Sequence, residues 1–479
     1  MGDQEAELPP PPHVLIFPYP AQGHVNSMLR LAELLCHAGI HVTFLVTHDI
    51  LRRLLRHSQA ESQLTRFPGF RFESIPDGLP KDDPRDNLSE VFRSFRATAK
   101  PLLRELLRSD RGKDSDSGRK RVTCIISDAG MSFAIDVGGE NGIPVIVFRT
   151  TSACNFWAYF CTPKLIEAGE IPFQGNNMDE IVKGISGMDG FLRRRDLPSV
   201  FRGRDKDDHD RLDFVSRETL DVTRARALIF NTFEELEGSV LAQARSQCPQ
   251  IYAIGPLHAH LKVRLAAPTT SYSLWEEDKN CMTWLDRQPL RSVIYVSLGS
   301  ITTVTKDQLM EFLYGLVNSG KRFLWVIRPD SVVGKDWENI LSNEILEATR
   351  ERGFIVGWAP QEEVLGHQAV GGFLTHSGWN SIMESIVAGI PMICWPCSGD
   401  QHINSRFAGE VWKLGLDMKD TCDRVIIEKM IRDLMDAREQ EFKQSSDQMA
   451  KSAKKAVKGG SSYGDFDCLV RDIRLMDVD

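Results

Sequence analysis

Two residues with acid–base side chains each follow a predicted buried strand. His24 comes after the apolar run 13–18 and a short loop, where an amphipathic helix begins, and Asp128 ends the apolar run 121–128. Both therefore belong at the carboxyl edge of a parallel sheet, where α/β proteins bind ligands. A helix N-terminus disfavours a charged imidazole, which predicts a neutral His24 that can accept a proton, and an Asp at the other ring nitrogen would fix the tautomer. The pair is a candidate general base with its partner; the alternative for His24 is a structural hydrogen bond.

A second group of polar residues lies in the segment 358–401. A predicted strand ends there at His376, and a helix begins near Asn380. The N-terminus of such a helix presents free N–H groups and a partial positive charge, which suits a diphosphate. Glu384 lies one turn into this helix, within reach of ribose or sugar hydroxyls, and the Asp-Gln pair that closes the segment follows the next strand. This segment therefore predicts a site for a nucleotide sugar.

The elements that must position these residues recur as β-α-β units in both halves of the chain. Apolar runs of strand length alternate with stretches of helical periodicity, which is typical of parallel, doubly wound sheets. A chain of 479 residues is also too long for one ordinary core. We predict a first Rossmann-like domain at 1–250 and a second at 276–460. Between them, at 251–275, the periodicity lapses and Pro, Ser and Thr accumulate, which predicts a linker.

Composition narrows the class of protein. A net charge of -8 and a pI near 5.9 do not favour a nucleic-acid partner, which requires a basic face. Ten cysteines without paired spacing, apart from Cys394 and Cys397, suit a reducing compartment. We find neither signal-peptide features nor an apolar run long enough for a membrane span, so we expect a cytoplasmic chain, and a monomer. The segment 192–211 mixes both charge signs densely, and we expect a solvated loop or helix face there.

The segment 358–401 resembles the signature box of plant family 1 UDP-glycosyltransferases. It spans 44 residues and carries WAPQ at its start, HSGWNS in its middle, a Glu three residues after that Ser, and a closing DQ. PAQGH at 20–24, FESIPDGLP at 72–80 and YAIGPL at 252–257 are also similar to the family. The resemblance implies a GT-B fold, an α/β architecture of two facing doubly wound parallel-sheet domains. The first would bind the acceptor and the second the UDP-sugar, with the C-terminal segment 461–479 returning to the first domain.

The resemblance also implies roles for individual residues. His24 would be the general base and Asp128 its partner. Uracil would stack on Trp358, and Glu384 would hold the ribose hydroxyls. The other residues implied for the UDP-glucose site are Ala359 and Gln361 near the uracil, Ser300, His376, Asn380 and Ser381 at the diphosphate, and Trp379, Asp400 and Gln401 at the hexose.

The implied reaction is a direct displacement that needs neither a metal nor another cofactor. His24 would remove the acceptor's hydroxyl proton, and the oxygen would attack the anomeric carbon from the face opposite UDP, giving a β-glucoside with inversion. A helix dipole, His376 and hydroxyl groups would stabilise the departing diphosphate. The sequence has no HExxH metal pair and no DxD motif in a predicted donor loop. In the family a closing Gln goes mainly with glucose donors, so Gln401 favours UDP-glucose.

The acceptor is expected to be a small lipophilic plant metabolite, a terpenoid, iridoid or phenolic with a hydroxyl or carboxyl group. Two departures from the family's common pattern are predicted to lie near it: Ser27 in place of the usual Pro, and Cys-Ser-Gly at 397–399 in place of a stretch that contains an aromatic residue and Ala. The sequence segment GHVNSMLRLAELL is most similar to that of the family branch whose members glucosylate iridoids such as 7-deoxyloganetic acid.

Four alternatives come from other classes of protein. A dinucleotide-dependent oxidoreductase would need GxGxxG after a strand, and a serine hydrolase would need GxSxG at a strand–helix elbow; the sequence has neither in that context. The CWPC run at 394–397 could be redox-active. A non-catalytic binding protein would keep the fold and lose His24, Asp128 or the donor residues, all of which are present here.

Overall fold

A computed structural model of the chain describes most of its length. The described residues are 11–83, 85, 88–111, 121–203, 206–266, 271–333, 349–350 and 352–476. Residues 267–270 of the predicted linker and 477–479 of the predicted C-terminal segment lie outside these ranges, so the corresponding predictions are not addressed there.

The first domain is built on a parallel sheet. Its strands are β1 His13–Phe17, β2 His41–Thr47, β3 Phe70–Ile75, β4 Cys124–Asp128, β5 Val145–Arg149, β6 Ala227–Phe230 and β7 Gln250–Ala253. They are ordered β3-β2-β1-β4-β5-β6-β7, and each neighbouring pair is parallel. The strand order reverses between β1 and β4, and a doubly wound sheet opens its ligand crevice at such a point. His24 and Asp128 follow or end these two strands.

Helices cover both faces of this sheet. They are α1 Gln22–His37, α2 His48–His57, α3 Ala60–Leu64, α4 Leu88–Arg111, α5 Phe133–Glu140, α6 Ala153–Phe160, α7 Thr162–Glu167, α8 Lys206–Asp221, α9 Glu234–Arg245 and α10 Leu257–Leu265, with 3₁₀ turns at Arg194–Asp196, Ser199–Phe201 and Val222–Arg224. Two hydrophobic layers form, one on each face of the sheet. The central strands β1, β4 and β5 are buried along their whole length, which explains their unbroken apolar sequences.

The second domain repeats this plan. Its strands are β8 Val293–Ser297, β9 Arg322–Val326, β10 Gly353–Val356, β11 Val370–Thr375, β12 Met392–Cys394 and β13 Gly415–Asp417. Their order is β10-β9-β8-β11-β12-β13, again all parallel. The helices that follow in chain order are α11 Asn280–Leu285, α12 Lys306–Asn318, α13 Gln361–Leu365, α14 Trp379–Ala388, α15 Gln401–Arg406, α16 Arg424–Arg432, α17 Glu439–Val457 and α18 Ser461–Leu475, with π-helical turns at Phe407–Val411 and Asp433–Ala437. The prediction of two doubly wound domains is confirmed.

The predicted linker at 251–275 begins too early. Strand β7 lies within its first residues and pairs with β6 at the edge of the first sheet. Helix α10 follows, and its residues Leu257 and Leu261 are buried in one hydrophobic layer of the first domain. The sequence concealed both elements because β7 has only four residues and α10 mixes His, Lys and Arg with its apolar positions. The first domain therefore extends to about residue 265.

The C-terminal helix α18 returns to the first domain, as predicted. Phe466, Leu469 and Ile473 are buried in the same hydrophobic layer as strand β1. At the edge strand β7, the Asp465 carboxylate accepts a hydrogen bond of 2.8 Å from the backbone N–H of Ala253. The chain thus crosses back and ties its end to the domain in which it began. In the part of the chain that the structure describes, no helix has both the length and the apolar character needed to cross a membrane.

The expectation of a solvated charged segment at 192–211 is wrong for its first part. Asp196 has no exposed surface and is paired with Arg193. Two cations of the second domain approach the same carboxylate, Lys419 at 3.0 Å and Arg406 at 3.4 Å. Charge density alone could not reveal this contact because both partners lie more than two hundred residues away in sequence. The segment therefore joins the two domains.

Candidate active site

The two domains face each other across a cleft of about 1230 Å³, which includes the part open to solvent. Residues from the loop after β1 line one wall, and residues from the segment 358–401 line the other. Twelve of the thirteen predicted site residues line this cleft: His24, Ser300, Trp358, Ala359, Gln361, His376, Trp379, Asn380, Ser381, Glu384, Asp400 and Gln401. The thirteenth, Asp128, lies behind His24. The structure therefore brings the predicted set together, while the individual roles stay predictions.

His24 lies in the first turn of α1 and contacts Asp128 at the end of β4. The His24 Nδ1 is 2.7 Å from the Asp128 carboxylate and 3.0 Å from the Thr150 hydroxyl. Asp128 is 1% exposed, whereas the His24 side chain is 32% exposed. An anionic acceptor at Nδ1 favours the tautomer with the proton on that nitrogen, which leaves Nε2 as the free base. This is the geometry that proton abstraction by His24 requires.

The pKa of His24 is shifted in the direction opposite to the one expected from the helix dipole. Burial lowers the pKa of the imidazole, but the charge of Asp128 and its hydrogen bond outweigh burial and raise the pKa above the ordinary value. Asp400 adds to this effect and Arg149 opposes it. The helix N-terminus alone predicted a neutral His24; the Asp128 carboxylate, 2.7 Å from Nδ1, acts in the opposite direction and favours the charged imidazole.

The uracil end of the predicted donor site is aromatic. Trp358 stacks against Trp275, with ring centroids 6.0 Å apart and an interplanar angle of 29°. Two guanidinium groups lie over the Trp275 ring, that of Arg53 at 4.9 Å and that of Arg328 at 5.7 Å. Ala359 is buried next to Trp358. Trp275 was missed from the sequence because it falls at the end of the predicted linker, where no periodicity marked it.

At the predicted diphosphate position the chain turns sharply from β11 into α14. Ser377 has a left-handed φ of +67°, and Gly378 caps the helix. A Cβ at Gly299 would lie 2.4 Å from the His376 ring, so only glycine fits there. Burial, followed by the charge of Arg328, lowers the pKa of His376 to about 4. His376 is therefore neutral, and it would contribute an N–H donor to a diphosphate and not a positive charge.

Glu384, predicted to hold the ribose, is held by side chains of both domains. Its carboxylate accepts hydrogen bonds from Gln361 at 2.8 Å and from Arg30 at 3.3 Å. Arg30 belongs to α1 of the first domain and also pairs with Glu362. Gln361 donates to the Ser381 hydroxyl as well, at 3.0 Å. Sequence reasoning missed Arg30, although its position two turns into the helix that carries His24 could have suggested a residue facing the cleft.

At the predicted hexose end, Trp379 is engaged elsewhere. Its indole N–H donates to the Asn231 carbonyl of the first domain at 2.9 Å. The indole N–H is therefore not available to the sugar, and the remaining donor of Trp379 is its backbone N–H in the first turn of α14. The side-chain amide oxygen Oε1 of Gln401 accepts from the backbone N–H groups of Cys397 and Ser398 at 2.8 and 3.0 Å. The Cys-Ser-Gly stretch thus orients Gln401 so that its amide N–H₂ remains free to donate.

Asp400 is an acidic group at the predicted hexose end of the cleft. Burial raises its pKa to about 6, against a hydrogen bond from Asn404 that lowers it. Asn404 lies 2.8 Å from the carboxylate and also accepts from Ser152 of the first domain at 2.7 Å. Asp400 is therefore positioned as an acceptor for sugar hydroxyls.

The CWPC run does not form a redox centre. Cys394 and Cys397 are free thiols. Burial raises the pKa of Cys394 to about 12 and that of Cys397 to about 11. A redox-active Cys requires a thiolate near neutral pH, which these thiols do not supply.

Comparison with known proteins gives the same picture. The UDP-glucoronosyl and UDP-glucosyl transferase family matches residues 269–434. The 7-deoxyloganetic acid glucosyl transferase of Catharanthus roseus is 55% identical over 99% of this chain and 100% of its own length. The chain belongs to the UDP-glycosyltransferase family. The myricetin 3-O-rhamnoside 1,2-glucosyltransferase of Crocosmia x crocosmiiflora is 43% identical over 100% of this chain and 98% of its own.

Two solved structures of UDP-glycosyltransferases share the fold. Os79 from O. sativa, in complex with UDP, is 27% identical and has a TM-score of 0.78 over 96% of this chain and 100% of its own. A UDP-glucose: anthocyanidin 3-O-glucosyltransferase, also in complex with UDP, is 26% identical with a TM-score of 0.79 over 96% of this chain and 98% of its own. The GT-B prediction is confirmed.

In this UDP-glycosyltransferase Ser27 connects the turn that carries His24 to helix α14 of the second domain. The Ser27 hydroxyl donates to the side-chain amide oxygen Oδ1 of Asn380 at 2.8 Å and lies 3.0 Å from the backbone carbonyl oxygen of Gly23. Asn380 donates in turn to the Gly23 carbonyl at 2.8 Å, next to His24. Proline has no hydroxyl, so the usual residue of the family could not make this contact. The prediction that Ser27 lies near the acceptor stays a prediction; its contacts place it between the turn that carries His24 and helix α14.

We expect Ser27→Ala to lower kcat/KM for UDP-glucose about 2- to 10-fold, the value of one hydrogen bond. The loss of the hydroxyl frees the Asn380 amide to rotate, which misplaces a group beside the predicted diphosphate. Steady-state kinetics with varied UDP-glucose would measure this. Ser446→Ala is a matched control, since it removes a buried hydroxyl that has no hydrogen-bond partner. Equal kinetics for both variants would show that Ser27 has no such role.

Proposed function

We propose that this chain transfers glucose from UDP-glucose to a hydroxyl or carboxyl group of a small lipophilic plant metabolite. The observation that carries the proposal is the placement of the His24–Asp128 pair opposite the segment 358–401 in one cleft. The relative at 55% identity acts on 7-deoxyloganetic acid, which makes iridoids the first acceptors to test. The cytoplasmic location and the monomeric state remain predictions.

The mechanism follows from the free Nε2 of His24. This nitrogen takes the proton from the acceptor hydroxyl as its oxygen forms a bond to the anomeric carbon. The bond between that carbon and the diphosphate oxygen breaks on the opposite face, and UDP leaves with the electron pair. The configuration at the carbon inverts, so an α-linked donor gives a β-glucoside. Asp128 stabilises the imidazolium that forms.

The departing diphosphate gains negative charge, and the second domain provides donors for it. The N-terminus of α14 presents backbone N–H groups and the positive end of a helix dipole. His376 adds a neutral N–H donor, and the hydroxyls of Ser300 and Ser381 line the same wall. Such preorganised donors stabilise charge where it develops.

We predict full activity in the presence of EDTA, because the donors just named already supply a positive field for the leaving group. In the residues that the structure describes, no three His, Cys, Asp or Glu side chains are grouped to hold a metal ion. The measurement is the rate of UDP release before and after chelation. Loss of activity that Mg²⁺ or Mn²⁺ restores would refute the metal-free mechanism.

Donor choice is expected to favour UDP-glucose over UDP-galactose. Asp400 would accept from sugar hydroxyls and the free amide of Gln401 would donate, and the axial C4 hydroxyl of galactose would leave such a group unpaired. One unsatisfied group costs about 1–3 kcal/mol, which corresponds to about 5- to 150-fold in kcat/KM. Competition between the two donors measures the ratio, and Gln401→Ala should reduce it. Equal use of both donors by the unaltered protein would remove this role of Gln401.

A binding protein with the same fold is the rival function, and turnover separates the two. The test is UDP release from UDP-glucose on addition of a panel of hydroxylated acceptors that includes iridoids, flavonols and simple phenols. A transferase releases UDP in proportion to acceptor consumed. A binding protein would bind UDP-glucose and release no UDP with any acceptor.

A further inference from the structure

Arg149 is a buried guanidinium for which the described part of the chain shows no ion pair, although the charges of Asp128 and Glu218 act on it from a distance. Among the described residues four arginines are buried: Arg30, Arg149, Arg194 and Arg328. The other three each form an ion pair with an Asp or Glu. Arg149 is 6% exposed, and its Nε is fully buried with no hydrogen-bond partner. The Arg149 guanidinium forms a cation–π contact with Phe156, in which it lies 5.0 Å from the centre of the ring.

Arg149 lies in the first domain, directly before a residue that lines the cleft. Arg149 ends β5, whose neighbour β4 ends in Asp128. The next residue, Thr150, lines the cleft and touches the His24 ring. Arg149 also acts electrostatically on both His24 and Asp400, which lie on opposite walls of the cleft. Arg149 is therefore one residue away from a side chain that touches His24 in the cleft.

The neighbouring carboxylates are already engaged. Asp128 holds His24 and accepts from the backbone N–H of Gly130 at 3.3 Å. Asp400 accepts from Asn404, and Glu218 pairs with Arg96 at 2.8 Å. Burial lowers the pKa of Arg149 to about 10, which still leaves the group charged at neutral pH. Taking such a charge out of water without a partner costs several kcal/mol, so a buried lone guanidinium next to a ligand cleft indicates that the ligand brings the anion.

We propose that Arg149 binds a carboxylate group of the acceptor and so selects acidic acceptors. This inference rests on the proposed function, since it concerns the same cleft. A planar guanidinium can hold a carboxylate through two parallel hydrogen bonds, which fixes orientation as well as charge. The bound acid would present its hydroxyl to His24. The diphosphate is a poorer candidate for this anion because its predicted site is the N-terminus of α14, on the second domain.

The test compares an acid with its ester in two variants. The acceptors are 7-deoxyloganetic acid and its methyl ester, with UDP-glucose as donor. In Arg149→Met the ratio of kcat/KM for acid over ester should fall about 10- to 100-fold, because one or two charge-assisted hydrogen bonds are lost. Arg149→Lys keeps the positive charge but loses the two parallel N–H donors of the guanidinium. We expect its acid-to-ester ratio to lie between those of the unaltered protein and Arg149→Met. Arg217→Met is the matched control, since it removes the same charge from an exposed position on α8 and should leave the ratio unchanged.

Three results would overturn the proposal. The first is an unchanged acid-to-ester ratio in Arg149→Met. The second is efficient use of UDP-glucuronic acid by the unaltered protein with loss of that activity in Arg149→Met, which would assign the guanidinium to a donor carboxylate. The third comes from calorimetry with UDP present: equal affinity of the acid for the unaltered protein and for Arg149→Met. If no acceptor yields a glucoside, the proposed function fails, and calorimetry still decides the role of Arg149.

Discussion

His24→Ala is expected to lower kcat for glucosylation about 10²- to 10⁴-fold, the usual contribution of a positioned general base. The affinity for UDP should stay nearly unchanged, because in the proposed mechanism the imidazole acts on the acceptor and not on the nucleotide. Steady-state kinetics and calorimetric titration with UDP measure the two effects separately. Turnover at the rate of the unaltered protein would refute the base mechanism.

The pH dependence provides a second measurement on the same group. His24 acts as a base only when neutral, and Asp128 raises its pKa. As the pH falls through that raised value, kcat/KM should fall. The midpoint of this acidic limb of the pH profile should lie above the pH of about 6.5 expected for an ordinary His. In Asp128→Asn the limb should move to lower pH and kcat should decrease, because the carboxylate no longer stabilises the imidazolium. An unmoved limb would show that another group controls it.

Glu384→Gln is expected to raise KM for UDP-glucose strongly, with a fall in kcat/KM of about 10- to 150-fold. The ribose hydroxyls would lose charge-assisted hydrogen bonds, each worth about 1.5–3 kcal/mol. These bonds form equally in the ground and transition states. Their loss should therefore raise KM and leave kcat nearly unchanged. Kinetics with varied UDP-glucose at saturating acceptor would measure both constants.

Glu362→Gln is the matched control for that prediction. It makes the same chemical change on the other carboxylate that pairs with Arg30. If Glu384 acts only as an anchor for Arg30 between the domains, the two variants should behave alike. A large effect confined to Glu384→Gln supports ribose binding, whereas equal effects would contradict it.

The sequence could predict the residues that a strand end or a helix start places in the cleft. His24 and Asp128 follow or end strands that prove to be neighbours at the reversal of strand order, and the segment 358–401 folds into a strand, a turn and a helix that carry most of the donor wall. The alternation of apolar runs with helical periodicity, together with the family resemblance, is enough to predict these positions. The same reasoning found β1, β8 and β11 because their apolar runs are buried on both faces.

Contacts between the domains could not be predicted in this way. Arg30 meets Glu384 across 354 positions of sequence, and Ser27 meets Asn380 across 353. The same limit concealed the second use of Trp379, whose indole N–H holds the Asn231 carbonyl. Such pairings depend on how two separately folded sheets face each other, and no local periodicity encodes that orientation. The lone guanidinium of Arg149 is of the same kind, since only the fold shows that its neighbours are already engaged.

The most direct test of the central claim is the structure of the product that forms from UDP-glucose and 7-deoxyloganetic acid. Mass spectrometry would detect the added hexose, and the coupling constant of the anomeric proton in NMR would give its configuration. We predict a single β-glucoside, formed with one equivalent of UDP and nearly absent with His24→Ala. An α-glucoside, or undiminished product from His24→Ala, would contradict direct displacement by an acceptor that His24 deprotonates.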